Sequence, residues 1–331
     1  MFEIENKTPF DANGAVLQDK NGDKFWIVAV KATHEILEDG TLKIAEEQKE
    51  VSTEPVYRGK PEETSLLYDT DIVLSKKTTD VILNGSAYGQ QGKKRNSVKV
   101  NLRVADINKT LLVKGSQKWS FLLLKGLMKP FSKMPITYEN TWGGTDFKDK
   151  RKRYYKKNPV GSGFCIWPWR LIGKKVPNVL SSNFLLRVTG NRSVGFGAIA
   201  PHWNPRTKYG GTYDKKWEEI KKPLLADDFN ELFYQSAPKD QQTKSFLKGS
   251  ETVELTNLTI EGKLKFQLPE IGLNFTTYFN NDEEESIPKL HSLIIEPDER
   301  SVSTVWHTSV PCQNRDEILR KTQITLSEDY V

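Results

Sequence analysis

The chain has 331 residues, 37% hydrophobic and 28% charged, with a net charge of +6. That composition belongs to a globular chain long enough to bury a large core, and it excludes a disordered one. No apolar run approaches the roughly 20 residues of a membrane-spanning helix, and two cysteines, Cys165 and Cys312, exclude a disulfide framework and a cysteine-only zinc site.

The start, MFEIENKTPFD, lacks the charged and apolar regions of a secretory leader, so a cytoplasmic protein is expected. KFWIVAVKATHEI then predicts a long strand, with EDGT at 38–41 as a hairpin turn. SVKVNLRVA places Val98, Val100, Leu102 and Val104 on one face and Lys99, Asn101 and Arg103 on the other, a half-buried strand. DINKT turns, and TLLVKG continues as its partner. Residues 251–269 predict a hairpin turning at Glu261-Gly262, and HSLIIEPDERSVSTVWHTSV predicts another around Pro297-Asp298. Three short helices are expected, in DDFNELFYQSAP (227–238), in TYDKKWEEIKKP up to Pro223, and in NRDEILRK near the C-terminus.

The expected fold is therefore mainly β: antiparallel sandwich-like or barrel-like sheets, a loop-rich middle and a few short helices. Three parts are expected, 1–130, 131–250 and 251–331, with one compact domain as the alternative. The middle part is rich in Gly, Pro and aromatics, as in NPVGSGFCIWPWR (158–170) and GFGAIAPHWNPR (195–206). Gly supplies unusual dihedrals there, Pro fixes them, and the aromatics are expected to pack over the loops in place of regular core layers.

The charge is local. KDKRKRYYKK (148–157) holds seven Lys/Arg and one Asp, which leaves 42 basic and 42 acidic residues elsewhere. Lys150, Arg151, Lys152 and Arg153 form its centre, read as a solvated loop or a docking patch for a partner. A nucleic-acid reading with Tyr154 and Tyr155 stacking is set aside, because the charge is one run and no stripe accompanies it. NNDEEES (280–286) reads as an acidic solvated loop.

No catalytic centre, metal site or cofactor is expected. GFGAIA lacks the strand, helix and distant acidic residue of a dinucleotide site. His34, His202, His291 and His307 are dispersed, only His202 lies in the Gly/Pro/Trp segment, and Cys165 beside Trp167 reads as a buried small hydrophobe. Glu139, Asp146, Asp214 and Asp228 lie in the irregular middle. Paired carboxylates with aromatics are the hardware of glycoside hydrolysis, so a carbohydrate-acting enzyme is one alternative; turn-capping aspartates are the plainer reading. An anionic-polymer binder using the basic loop is the other alternative.

The ordered set KKTTDVILNGSAYG, LLVKGSQKW, MPITYENTWGGTD, KNPVGSGF, GFGAIAPHWNPR, GGTYDKKW, DDFNELFYQSAPKDQQ and LKGSETVELTNL, over about residues 70–270, resembles domain-of-unknown-function family 2169. One departure is VPNVLSSN, where family members tend to follow Pro-Asn with an acidic residue. The resemblance implies a type VI secretion setting and an adaptor or chaperone that stabilises an effector and loads it onto a spike of the VgrG and PAAR types. It implies no catalytic residues. Trp, Tyr and Arg dominate protein–protein hot spots, so Trp142, Asn158, Trp203, Arg206, Asp214 and Trp217 are the expected partner-binding residues, with Arg206 clamping Asp214 as the structural alternative.

Overall fold

The alternating segment folds as the strand Ser97–Val104, with its four aliphatic residues buried, in a computed structural model that describes residues 3–121, 124–183, 193–280, 282–312 and 316–327. Its partner is Ile107–Lys114, with Val100 opposite Leu111. The turn is tighter than DINKT suggested. Ala105, with φ +49°, and Asp106 make it alone, and Ile107–Thr110 already pair. Burying both Ile107 and Leu111 sets this register, since a one-residue slip would turn each to the other face.

A five-stranded sheet runs in the order Val179–Ser181, Ile107–Lys114, Ser97–Val104, Thr252–Thr256, Lys263–Gln267. A second sheet runs Asp11–Gln18, Lys24–Ile36, Ser301–Pro311, Lys289–Glu296, Asp80–Leu83, with Leu42–Ile44 added to Lys24–Ile36. A third runs Glu3–Asn6, Leu319–Leu326, Leu273–Phe279, Glu283–Ser286. The fold is mainly β, and none of these sheets closes into a barrel. Antiparallel pairing dominates as expected, but Glu3–Asn6 and Asp80–Leu83 join their sheets parallel.

The predicted hairpins at 38–41, 257–262 and 297–300 are present, and Gly40 and Gly262 hold positive φ in the first two. Three expectations are corrected. Residues 227–238 contain only the 3₁₀ turn Glu231–Tyr234, capped by Asn230, because Asp228 is engaged by the Thr212 N–H and hydroxyl. Asn314 and Arg315 of NRDEILRK lie outside the described residues; its remainder is the 3₁₀ turn Asp316–Ile318 leading into the strand Leu319–Leu326. The acidic run is the edge strand Glu283–Ser286, where charge blocks edge-to-edge pairing. The helix in TYDKKWEEIKKP is present as Lys215–Ile220.

Lys24–Ile36 is buried on both faces. Trp26, Val28, Val30 and Ala32 face the main core, which also takes Leu102, Phe196, Leu255 and Leu293 and so draws on all three parts of the chain. Ile27 and Ala29 face a smaller cluster with Val51, Ile72, Ile294 and Val305. Farther along that second face Lys31 is buried against Asp71, Nζ to Oδ2 2.8 Å.

The irregular middle is fastened to this frame by buried polar groups. Asp80 accepts from Gln235 Nε2 (2.8 Å), the Ser236 N–H (2.8 Å) and Lys76 Nζ (2.7 Å). Gln241 Nε2 donates to the carbonyls of Val81 and Phe196. Such satisfied contacts offset the cost of burying a charge, which is severe when the group is unpaired.

Candidate partner-binding surface

The residues expected to face a partner divide sharply. Trp203 is fully buried, packed edge-on to the Tyr138 ring at 5.4 Å, with its indole N–H on His202 Nε2. Arg206 is also buried. It contacts Asp69 (Nη1 to Oδ2 2.8 Å) and donates to the carbonyls of Phe233 and Ile199; it does not clamp Asp214. Asn158 is buried and donates from Nδ2 to Tyr138 O, Thr141 Oγ1 and Trp142 O, knotting the 138–142 turn to the 158–163 loop. Burial removes these three from any direct contact with a partner.

The same knot explains the glycines. Gly143 has φ +154°, and a Cβ there would lie 2.2 Å from the Asn158 carbonyl. Trp142 is half-buried over Gly163 in the short parallel pair Trp142–Gly143 with Ser162–Gly163. Asp214 caps the helix Lys215–Ile220 by accepting from the Trp217 N–H. Trp217 is half-buried and bonds the Leu224 carbonyl.

The carboxylates of the enzyme alternative are likewise employed locally. Glu139 accepts from the Ser65 N–H (2.7 Å) and hydroxyl (3.0 Å); burial works to raise its pKa, yet these bonds hold it below the usual range. Asp146 is fully covered, and although burial pushes up, the Ile166 N–H and Arg170 guanidinium hold its carboxyl low. Asp214 is spent on its helix, and none of the three lines a cleft described below. Among the described residues no three His, Cys, Asp or Glu side chains group as a metal site.

What the sequence reading missed is the exposed Trp-Pro-Trp. Trp167 and Trp169 are 48% and 60% exposed and stacked on each other, centroids 4.9 Å apart and planes 21° apart. The intervening Pro168 starts the 3₁₀ turn Pro168–Leu171, and Asp146 grips both sides of it through the Ile166 N–H and Arg170. The proline between two tryptophans was the available signal: it disfavours a regular strand, in which residues two apart share one face and would be buried together. Cys165 beside them is half-buried, with its thiol pKa raised by burial.

Two further segments abut this platform. Residues 118–121 pair with 124–126 through the Ser120 N–H to Leu124 O and the Gly126 N–H to Lys118 O, and the Trp119 N–H and carbonyl pair with Lys174 O and the Gly173 N–H. The basic loop is exposed, as expected, and is folded on itself: Arg153 pairs with Asp149 at 2.9 Å, and the Asp146 N–H bonds the Arg153 carbonyl. The base of that loop, where the Asn204 N–H bonds Lys156 O, opens on a cleft of about 490 Å³ lined by Lys109, Tyr138, Lys157, Ile199, Asn204 and Asp240 among others. Lys109 is buried at its floor, bonded to Gly195 O, Asp240 and Gln241 at 2.7–2.8 Å; burial pulls its ammonium below the ordinary lysine value against the attraction of Asp240.

The cleft draws Tyr138, Lys157, Asn204 and Asp240 from MPITYENTWGGTD, KNPVGSGF, GFGAIAPHWNPR and SAPKDQQ, and the platform and the basic loop lie between those motifs in the chain. No curated protein and no solved structure matches the chain. A family model described as "Uncharacterized protein conserved in bacteria (DUF2169)" matches residues 21–307. The segments that build the cleft, the platform and the basic loop all fall inside that match, and the chain belongs to this family.

Proposed function

We propose that the protein is an adaptor with chaperone character. It binds a type VI secretion effector in the cytoplasm, stabilises it and helps load it onto a spike of the VgrG and PAAR types. The observation that supports this reading is the exposed, mutually stacked pair Trp167 and Trp169. Contiguous apolar exposure rimmed by polar groups is the mark of an interaction surface. The secretion setting comes from the sequence resemblance. No helix among the described residues is long and apolar enough to cross a membrane.

A partner that binds only the folded effector raises its stability by about 2.7 kcal/mol at a hundredfold excess over Kd. The effector encoded beside this protein should therefore co-purify with it and should accumulate less when it is deleted. Absence of both an effector and a spike protein from the purified material, with effector levels unchanged on deletion, would overturn the reading.

A further inference from the structure

We infer that the Trp167–Trp169 platform and the basic loop together recognise an acidic protein segment that carries bulky apolar side chains. The apolar side chains lie on the platform, and the carboxylates lie against the loop. This rests on the adaptor reading and specifies its partner's chemistry.

The apolar half is large. Leu127 is 96% exposed, Phe147 78%, Phe121 76% and Ile172 44%; the Trp119 backbone, two residues before Phe121, pairs with Gly173 and Lys174, and Asp146, next to Phe147, holds Ile166 and Arg170 on either side of the tryptophans. Exposed aromatic and aliphatic groups at this density become favourable only when a partner removes them from water. The charged half is unbalanced. Lys148, Lys150, Arg151, Lys152 and Lys156 are exposed, whereas Asp149 is taken by Arg153 and Asp146 by Arg170. A complementary partner must therefore bring its own carboxylates.

Other occupants fit less well. A nucleic acid could stack on the rings of the patch but would leave the aliphatic Leu124, Leu127 and Ile172 without a matching partner. A second copy of this chain has an acidic edge strand, Glu283–Ser286, followed by Ile287. That contact would be head-to-tail, building open assemblies in place of a closed dimer.

The test uses the full chain and a synthetic peptide alternating Leu and Phe with Glu and Asp, read by intrinsic tryptophan fluorescence and by titration calorimetry. Binding should weaken at least about tenfold in Trp167→Ala/Trp169→Ala, as expected when hot-spot aromatics are truncated. A similar loss is expected in Lys150→Glu/Arg151→Glu/Lys152→Glu, and on raising salt from about 50 to about 300 mM. All these residues are exposed, so the variants should fold, and circular dichroism is the control that checks it. A Gln/Ser peptide with the same Leu and Phe should bind more weakly than the acidic one.

Equal binding by the variants, or equal binding of the two peptides, would overturn the inference. So would tight binding of phosphatidylglycerol vesicles or a single-stranded oligonucleotide through these residues in place of the peptide, or concentration-dependent self-association abolished by the charge reversal. The adaptor reading fails separately. If wild type captures no effector, that reading falls; if the charge-reversed chain captures the effector as well as wild type does, the reading stands and this inference falls.

Discussion

Removing the Arg206 side chain tests whether the irregular middle is held by buried polar contacts or by its aromatics alone. Arg206 and Asp69 are both buried, with Nη1 and Oδ2 2.8 Å apart. Arg206 also donates to Phe233 O at 2.9 Å and Ile199 O at 2.7 Å, and its guanidinium lies 5.1 Å from the Phe233 ring centroid. Breaking a buried pair by deleting one partner costs about 3–5 kcal/mol. Each carbonyl left without a donor adds about 1–3 kcal/mol unless water reaches it. Arg206→Met should therefore cost at least about 5 kcal/mol where water does not reach the two carbonyls, a large share of the roughly 5–15 kcal/mol by which a folded domain is stable. Asp69→Asn should cost less, because the two carbonyl bonds survive. Urea unfolding followed by circular dichroism measures both. A pH series adds a signature. Burial raises the Asp69 carboxyl above its usual range, against the attraction of Arg206 and Lys76, and loss of Arg206 raises it further. A carboxyl with a raised folded pKa binds its proton more tightly in the folded state, so its stability contribution is lost as pH rises through that pKa. The deficit of Arg206→Met relative to wild type should then shrink as pH falls from neutral toward the acid range. A midpoint equal to wild type, a larger loss in Asp69→Asn, or a deficit that grows on acidification would refute the reasoning.

Trp203→Ala should cost about 3–5 kcal/mol by opening a cavity beside Tyr138. Trp167→Ala and Trp169→Ala should each stay within about 1 kcal/mol while weakening partner binding, and a reversal of that order in chemical unfolding would contradict the burial assigned here. Burial lowers the pKa of His34 and His307 to about 4 each, and lowers that of His291, stacked on His307 at 3.9 Å. Their neutral forms are favoured in the fold, so stability is fully present above about pH 6.5 and falls as pH drops toward 4, by up to about 3 kcal/mol for each of His34 and His307. Unfolding midpoints that stay flat across that window would count against neutral buried imidazoles. Gly143→Ala places a Cβ against the Asn158 carbonyl at φ +154° and should cost at least about 1–3 kcal/mol, measured as a drop in melting temperature.

Period-two patterning by itself determined the strands within 97–104 and 252–267 and named their buried face, whereas those at 24–36 and 289–311 were legible as strands but proved buried on both faces. The Asp-Gly and Glu-Gly dipeptides placed two of the hairpins, since positive φ suits glycine. The concentration of charge at 148–157 was legible for a similar reason: seven cations in ten residues cannot be buried unpaired. The ordered motifs were enough to identify the family. Tertiary structure alone decided which aromatics are core. Trp203 and Trp167 sit in similar Gly/Pro-rich surroundings, yet Trp203 is enclosed by Tyr138 and Leu66 while Trp167 is held outward by the Asp146–Arg170 grip from another loop. It also decided Arg206. Its local neighbour Asp214 was eight residues away in the chain, but its partner is Asp69, brought in from a segment of low local signal. The acidic run became a strand because Leu273–Phe279 offered an open edge, and the helix expected at 227–238 did not form because Thr212 claimed Asp228. These outcomes depend on contacts between distant segments, and no local period or propensity carries that information.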